Sequence, residues 1–250
     1  MLTGEQERDF RKAGSIAAQA LHHGVSLMKE AALVVDVLDS VEDFIRSKGA
    51  GIAFPAQISL NAVAAHACSA QDDKTTIQAG DVAKLDVGAH VNGMIGDTAR
   101  TVNLSGEHEE LLKASRLALK EASRLFTPGT HTGEIGRVIQ DTITGFGFSP
   151  VRNLSGHGLG PFAIHTSPSI PNVALEESPV LEEGMTVACE PFATNGNGAI
   201  ADSGEATVFS FIQSRPIRNP FARQVLKRIE SYHGLPFTTR WLSGEFGMGK

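Results

Sequence analysis

Residues 80–101 read GDVAKLDVGAHVNGMIGDTART, and this stretch decides how the chain is expected to fold. Small and β-branched apolar residues fill both of its arms, which is typical of two neighbouring strands. Between the arms lies Asn92-Gly93, the pair that favours a two-residue type I′ turn, because both central residues of that turn have φ > 0. The sequence therefore predicts a β-hairpin in which Val91 faces Met94.

Two carboxylates fall on one face of this predicted hairpin. With that register Asp97 lies opposite Gly88, and Asp86 is two residues from Gly88, so it points to the same side of the sheet. Diagonal neighbours across a ladder have Cα atoms roughly 7–8 Å apart, so the two side chains can converge. Like charges this close repel unless something offsets them. Two interpretations stay open here: a wet face on which both acids are solvated, with Lys84 nearby, or a face that binds a cation.

The composition is that of a soluble globular protein with one large domain, or one domain and a smaller lobe. Apolar residues make up 41% of the 250 positions and charged residues 20%, which suffices for a full core. No apolar run approaches the ~18 residues of a membrane span, and the charged N-terminal residues contain no apolar signal segment. The two cysteines give no disulfide framework. These features predict a reduced, cytoplasmic protein.

The net charge is spread unevenly along the chain. Residues 213–250 contain seven basic and two acidic residues, whereas the whole chain has a net charge of −6. This shift predicts a boundary near Gln213, between a domain over residues 1–212 and a separate segment over 213–250. A basic helix in that segment can contact RNA or another acidic surface, but a solvated helix face is the commoner arrangement. No aromatic-studded nucleic-acid motif accompanies it.

The chain also contains a weak internal repeat. A shift of 98 positions lays the apolar pattern of residues 36–45 over that of 134–143, and a shift of 104 lays residues 80–86 over 184–190. A duplication of this kind predicts two similar structural units.

The repeat predicts halves of about 1–105 and 106–212, each with two helices followed by strands. It places Glu190 at the position of Asp86, so a pseudo-two-fold axis would bring both carboxylates to one central site. The predicted elements are helices over Glu5–His23, Leu33–Lys48, Glu107–Phe126 and Gly133–Thr144, an extended segment around Ile58, and a strand over Met185–Ala193.

Among the nine histidines, His157 has the most unusual surroundings. It lies between glycines in SGHGLG, ahead of the strand that carries Glu190, and these glycines let backbone and ligand approach closely. A second histidine, His165, follows in the same half. Lone histidines are more often satisfied core or surface residues, and we interpret six others in that way: His22, His23, His90, His108, His131 and His233. Neither Cys189, on the opposite strand face from Glu190, nor Cys68, which has no second cysteine at metal-site spacing, is predicted to be a ligand.

Five stretches together resemble the type II methionine aminopeptidases, which have the pita-bread peptidase fold. They are FPAQISLNAVAAHA from Phe54, KLDVGAHVNGMIGDTA from Lys84, NLSGHGLG from Asn153, IHTSPSIPN from Ile164 and ACEPFAT from Ala188. The resemblance implies an α/β (α+β) fold with two pseudo-symmetric helix–helix–strand halves around a central antiparallel sheet. It also implies that residues 213–250 begin the helical insert that distinguishes type II. The absence of a long polybasic N-terminal extension is typical of the archaeal form.

The resemblance further implies a dinuclear metal site. Its ligands in this chain would be Asp86, Asp97, His157 and Glu190. Carboxylates and one imidazole suit divalent Co, Mn, Fe or Zn and do not select among them.

Four other residues match family positions that contact the substrate. The resemblance implies that two histidines, His66 and His165, stabilise the tetrahedral intermediate. It also implies that the methionine side chain packs between Phe54 and Ile164.

The implied activity is removal of the N-terminal methionine from nascent proteins, by attack of a hydroxide held between two metal ions on the first peptide bond. Residues 67–69 and 166–167 depart from the family pattern after each of the two substrate histidines, which affects the expected substrate preference. A fifth ligand of the family, a bridging glutamate on a late strand, has no counterpart. We therefore expect a chain that stops inside the insert, binds metal weakly and cleaves poorly.

Two other functions stay open from the sequence. A proline-specific peptidase of the same fold would share the ligands, although such enzymes usually carry a separate N-terminal domain. A non-catalytic binding protein of the pita-bread fold would have lost metal ligands. The presence of four of the ligand positions in this chain argues against such a loss. If the protein is a methionine aminopeptidase, we expect a cytoplasmic monomer that acts on the N-terminal methionine of nascent polypeptides near the ribosome and binds neither DNA nor a membrane.

Overall fold

The computed structural model describes residues 2–247, which divide into two compact units. The first unit consists of residues 6–104, 161–164 and 204–247, and the second of residues 2–5, 105–160 and 165–203. Each unit has its own cluster of buried apolar side chains. Among the described residues, no helix combines the length and the apolar composition needed to cross a bilayer.

In each unit two helices precede the main strands, and two further helices lie near the C-terminal end of the described residues. The helices are α1 (Gly4–Leu27), α2 (Val34–Ser47), α3 (Glu109–Ala122), α4 (Thr132–Gly145), α5 (Pro220–Glu230) and α6 (Thr239–Phe246). The strands are β1 (Gly51–Leu60), β2 (Val82–Val91), β3 (Met94–Asn103), β4 (Ser149–Pro150), β5 (Ser155–Gly160), β6 (Ala163–Pro171), β7 (Val187–Ala188), β8 (Ala193–Thr194), β9 (Val208–Phe209) and β10 (Phe237–Thr238).

The central element of the first unit is the hairpin of β2 and β3. Val91 pairs with Met94 and Gly88 with Asp97 in an antiparallel ladder. The two turn residues have φ of 49° and 86°, the positive values that a type I′ turn requires. The predicted hairpin and its register are confirmed.

Strand β1 completes a sheet of order β1-β2-β3, and it is longer than the extended segment predicted around Ile58. Leu85 and Val87 of β2 are fully buried in the cluster that also contains one side of α1 and α2. The apolar stripe of α2 in this cluster is formed by Val34, Val37, Leu38, Val41 and Ile45. Because side chains alternate along a strand, this burial turns Asp86 and Gly88 away from the helices.

Helix α1 passes very close to β3 at Gly96. A Cβ atom on Gly96 would lie 2.4 Å from the backbone nitrogen of Gly14 in α1, and a backbone atom cannot swing aside. We therefore expect Gly96→Ala to lower the free energy of unfolding by about 1–3 kcal/mol, the usual cost of overpacking, in urea denaturation. Gly14→Ala is the matched control, because a Cβ there meets nothing within 4 Å. Equal midpoints for the two variants would contradict the close approach.

The second unit is built around α3 and α4. Its buried cluster consists of alanine, isoleucine and leucine side chains: Ala118, Ala122, Ile135, Ile139, Ile143, Ile170 and Leu181. The strands form a three-stranded sheet of order β6-β5-β7 and a two-stranded sheet of β4 and β8. The predicted continuous strand Met185–Ala193 is wrong, because only β7 and the first residue of β8 fall within it. Pro191, which lies between these strands, has no N–H to contribute to a ladder.

The same local arrangement occurs in both units, which confirms the predicted duplication. Helices α2 and α4 begin 98 positions apart and end 98 positions apart. The β-bridge that precedes each helix is repeated as well, with its second partner displaced by 104 positions: Leu33–Thr76 in the first unit and His131–Val180 in the second.

The strand pairing repeats with the same two displacements. The equivalent pairs are Ser59–Lys84 of β1 and β2, and His157–Ala188 of β5 and β7. Glu190 follows Ala188 by two residues, as Asp86 follows Lys84. The two carboxylates therefore occupy equivalent positions in the two units.

Helix α6 is tied to α2 by a buried cluster of charges. Glu42 of α2 is 1% exposed, and its carboxylate accepts hydrogen bonds from Arg240 (2.6 Å) and from Nε1 of Trp241 (2.7 Å). It also accepts one from the backbone N–H of Ala56 in β1 (3.2 Å), and Arg240 additionally contacts Asp39. Burial raises the pKa of Glu42, and the charge of Arg240 opposes that rise.

The basic residues of α5 and α6 thus have two different environments. Helix α5 has no buried residue, so its basic side chains form the solvated face that the sequence favours. Arg240 differs, since it is 5% exposed. The solvated interpretation is wrong for this residue, because a carboxylate on the apolar face of α2 requires a buried cation.

Candidate functional site

Asp86 and Asp97 lie on the side of the hairpin that faces away from the helices, and both are half-buried. They are diagonal neighbours, because Gly88 is the residue that pairs with Asp97. Lys84 shares this face, but its ammonium group donates to the backbone carbonyl of Asn61 at 3.0 Å. Burial lowers the pKa of Lys84 to about 8. Both carboxylates are thus partly withdrawn from water on one face of the sheet.

Phe54 covers the same face of the first unit. It pairs with Gly88, and a Cβ atom on Gly88 would lie 2.2 Å from Cε1 of Phe54. The phenyl ring therefore fills the space above the glycine, next to the carboxylates. Ile164, the other predicted pocket residue, is half-buried and also belongs to the first unit.

His66 is exposed in the connection that follows β1, and its φ of 64° lies in the left-handed region. Residues other than glycine are uncommon there, and they concentrate at functional sites. The next residue is bonded to β1 in both directions: Ala67 N–H donates to Oγ of Ser59 (3.4 Å), and Ala67 O accepts from the N–H of Ile58 (3.2 Å). The connection is thereby anchored beside the strand that carries Phe54.

In the second unit His157 of β5 faces Glu190. Nε2 of His157 lies 3.0 Å from Oε1 of Glu190. Nδ1 of the same ring lies 3.2 Å from the carbonyl oxygen of Gly158. A histidine whose Nδ1–H donates to a carbonyl presents the lone pair of Nε2 to a metal, and this is the usual arrangement of metal-binding histidines.

The contact between His157 and Glu190 has the dimensions of two ligands of one cation. Oε1 of Glu190 is buried and accepts no well-directed hydrogen bond from residues 2–247, although Nε2 is close. Two ligand atoms at about 2.1 Å from one ion and at about a right angle are ~3.0 Å apart. A buried oxygen without a donor, beside an imidazole nitrogen at that distance, fits a shared divalent metal.

Gly156 and Gly158, on either side of His157, allow the close backbone approach that the sequence predicts. A Cβ atom on Gly156 would lie 2.2 Å from the carbonyl oxygen of Ala188 in β7, and one on Gly158 would lie 2.2 Å from that of Ser167 in β6. These glycines admit the backbones of two neighbouring strands; the predicted approach of a ligand stays a prediction. Their effect is to fix His157 in the middle strand of its sheet.

His165 of β6 lies next to His157. The centroids of the two imidazole rings are 4.4 Å apart in an edge-on arrangement, and His165 is exposed. Cys189 precedes Glu190, and burial raises the pKa of its thiol to about 12, with the Glu190 charge adding to the rise. The thiol therefore stays protonated, which fits the expectation that Cys189 is not a metal ligand.

Two buried polar residues of the first unit had no role in the sequence interpretation. Glu42 lies on the apolar stripe of α2, and Gln57 pairs with Asp86 from β1. The available signal was the same in both cases: a polar side chain at a position where the surrounding pattern is apolar.

A model of metallopeptidase family M24 matches residues 8–211 of the chain. The chain belongs to metallopeptidase family M24. Membership confirms the family resemblance on which the expected fold rests.

Named relatives within and around M24 agree with this assignment. A methionine aminopeptidase of Archaeoglobus fulgidus is 46% identical over 232 residues, which are 92% of this chain and 79% of the relative. The crystal structure of a methionine aminopeptidase from Thermotoga maritima matches with a TM-score of 0.73 and 28% identity, over 79% of this chain and 83% of that chain. A prolidase from Pyrococcus furiosus matches with a TM-score of 0.68 and 26% identity, over 76% of this chain and 56% of that chain. The pita-bread fold predicted from the sequence is confirmed.

Proposed function

We propose that the protein is a methionine aminopeptidase that removes the N-terminal methionine from nascent polypeptides with the help of divalent metal. The observation that carries the proposal is the pairing of His157 with the buried, donor-free oxygen of Glu190 in a chain 46% identical to an archaeal methionine aminopeptidase. An enzyme of this kind has to hold a metal, and these two side chains suit one.

The proposed metal ligands are Asp86, Asp97, His157 and Glu190. Three of them, Asp97, His157 and Glu190, each offer one ligand atom of a type that holds a metal ion. Oxygen and imidazole ligands suit divalent Co, Mn, Fe or Zn, and we propose two such ions.

When bound, divalent metals supply Lewis acidity and a nucleophile at neutral pH. The chain itself supplies the substrate contacts. His66 and His165 donate hydrogen bonds to the carbonyl oxygen as negative charge develops on it. The thioether side chain of the first residue packs against Phe54 and Ile164, which provide an apolar wall.

Peptide cleavage distinguishes this function from its alternatives. With added Mn²⁺ or Co²⁺ we expect slow release of methionine from Met-Ala-Ser, because the fifth ligand of the family has no counterpart, together with no cleavage of Xaa-Pro peptides. Activity should be lost completely in excess EDTA, and all products are measured by chromatography. Faster cleavage of Xaa-Pro peptides would indicate the proline-specific function. Failure to cleave either peptide with both metals present would indicate a non-catalytic binding protein.

Nascent polypeptides are the proposed partners, since an N-terminal methionine is present on every chain that leaves the ribosome. We propose that the protein acts on them in the cytoplasm, close to the ribosome. We propose that it acts there as a monomer, without DNA or membrane partners.

A further inference from the structure

Strand β1 contains a β-bulge where it pairs with the part of β2 that carries Asp86. Phe54 pairs with Gly88 and Gln57 pairs with Asp86, so three steps along β1 correspond to two steps along β2. In a regular strand, residues three apart point to opposite faces. The extra residue turns both Phe54 and Gln57 to the face of Asp86, which is a known use of bulges next to active sites.

This bulge is stabilised by a hydrogen bond to helix α2. The backbone N–H of Ala56, within the bulge, donates to the carboxylate of Glu42 at 3.2 Å instead of to a neighbouring strand. Glu42 is in turn fixed by Arg240 and Trp241. The preceding residue, Pro55, has no N–H that would be left without a partner. The position of Gln57 is therefore fixed by the buried hydrogen bonds of Glu42.

Gln57 has an acceptor that the protein does not use. The residue is 5% exposed, and its Oε1 is buried with no hydrogen-bond partner among residues 2–247. An unsatisfied buried carbonyl is unfavourable in the folded state, so the partner is expected to come from a ligand. Ser155 stands in the equivalent position of the second unit, and its hydroxyl is already bonded to Ser169 at 2.9 Å.

We propose that Gln57 belongs to the substrate site and that its Oε1 accepts a hydrogen bond from the α-amino group of the N-terminal methionine. This proposal rests on the proposed function. The neighbouring Asp86 is a carboxylate and has no proton to donate when ionised, so the donor has to arrive with the ligand. A site whose buried acceptor requires a donor rejects analogues that lack one, and Gln57 thereby helps to select a free amino terminus. A water molecule bound at this face is the other source of such a donor.

The test replaces Gln57 with methionine, which has a similar volume and no acceptor of comparable strength. Binding of L-methionine and of 4-(methylthio)butanoic acid, which lacks the amino group, is measured by calorimetry on the Mn²⁺-loaded protein. We expect Gln57→Met to weaken L-methionine binding by about 10-fold or more, as for a hydrogen bond to a charged group, and to leave the desamino compound unaffected. Equal weakening for both compounds would assign the donor to water and overturn the proposed hydrogen bond to the α-amino group. Unchanged binding of both would overturn the proposal.

Thermal unfolding of the metal-free protein separates this role from a structural one. Removing an unsatisfied acceptor should leave the Tm of Gln57→Met unchanged or raise it by roughly 2–4 °C. A clear fall in Tm would mean that the amide stabilises the fold, and would overturn the proposal. The matched control is Gln140→Met, because Oε1 of Gln140 accepts from the N–H of Ala174 at 3.1 Å: its Tm should fall and its ligand binding should not change.

The wild-type protein shows which proposal has failed. If it binds L-methionine and Gln57→Met binds it equally well, only the role of Gln57 is refuted. If the wild-type protein binds neither compound, the aminopeptidase function fails, and the assignment of Gln57 fails with it.

Discussion

Replacing His157 with alanine lowers kcat/KM for Met-Ala-Ser by on the order of 10³-fold, the effect expected when an essential electrostatic group is removed. The imidazole supplies Nε2 at 3.0 Å from Oε1 of Glu190, and its loss removes the one neutral ligand from the proposed set. Metal content, measured by atomic emission after dialysis against Mn²⁺, should fall together with activity.

The control is His22→Ala, which removes an exposed imidazole from α1. This variant should keep the activity and metal content of the wild-type protein. Loss of activity in His157→Ala at full metal content would assign His157 to substrate binding instead of metal binding. Full activity of His157→Ala would refute the proposed ligand set.

Replacing Arg240 with methionine should lower the free energy of unfolding by about 3–5 kcal/mol, because it leaves a buried carboxylate with only the more distant and exposed Arg46, at 3.5 Å. Glu42 is 1% exposed and receives a 2.6 Å hydrogen bond from Arg240. Urea denaturation at pH 7 measures the loss.

The loss should depend on pH in a defined direction. Burial already raises the pKa of Glu42 in the folded protein, and Arg240 opposes this rise, so the substitution raises that pKa further. A carboxyl group with a raised folded pKa destabilises the protein fully above that pKa, and it does so progressively less as the pH falls toward its unfolded pKa of about 4.3. The difference between Arg240→Met and wild type should therefore shrink between pH 7 and pH 5.

The matched variant carries Glu42→Gln together with Arg240→Met. The amide removes the buried charge, and its oxygen can still accept the hydrogen bond from Ala56 N–H. Most of the lost stability should return. If Glu42→Gln restores nothing, the cost of losing Arg240 comes from its packing and not from an uncompensated charge.

The hairpin and the duplication could be predicted from the sequence because each depends on local chemistry. Asn92-Gly93 fixes the turn, the turn fixes the register, and the register places Asp86 diagonal to Asp97. The displacement of 98 positions could be read from the apolar pattern, since α2 and α4 use the same stripe of side chains.

Features that depend on distant partners were not predictable in the same way. The bulge that turns Gln57 toward Asp86 exists because Glu42 receives the N–H of Ala56, and nothing near residue 57 records that contact. Arg240 was predicted to be solvated along with its basic neighbours because its carboxylate partner is 198 positions away in the sequence. The extent of the strand around Glu190 was overestimated, since apolar composition alone does not reveal which backbone groups find a ladder partner.

The two displacements that relate the units differ by six positions, and this difference can be located. Equivalent positions in the two units are 98 residues apart up to residues 60 and 158. They are 104 residues apart from residues 75 and 179 onward. The added length thus lies in the stretch that runs over residues 61–74 in one copy and 159–178 in the other. These stretches contain His66 and His165, whereas the four proposed metal ligands, Asp86, Asp97, His157 and Glu190, lie outside both. Changes in these two segments of unequal length, the second of which contains β6, can therefore alter the proposed substrate contacts without moving the proposed metal ligands along the chain.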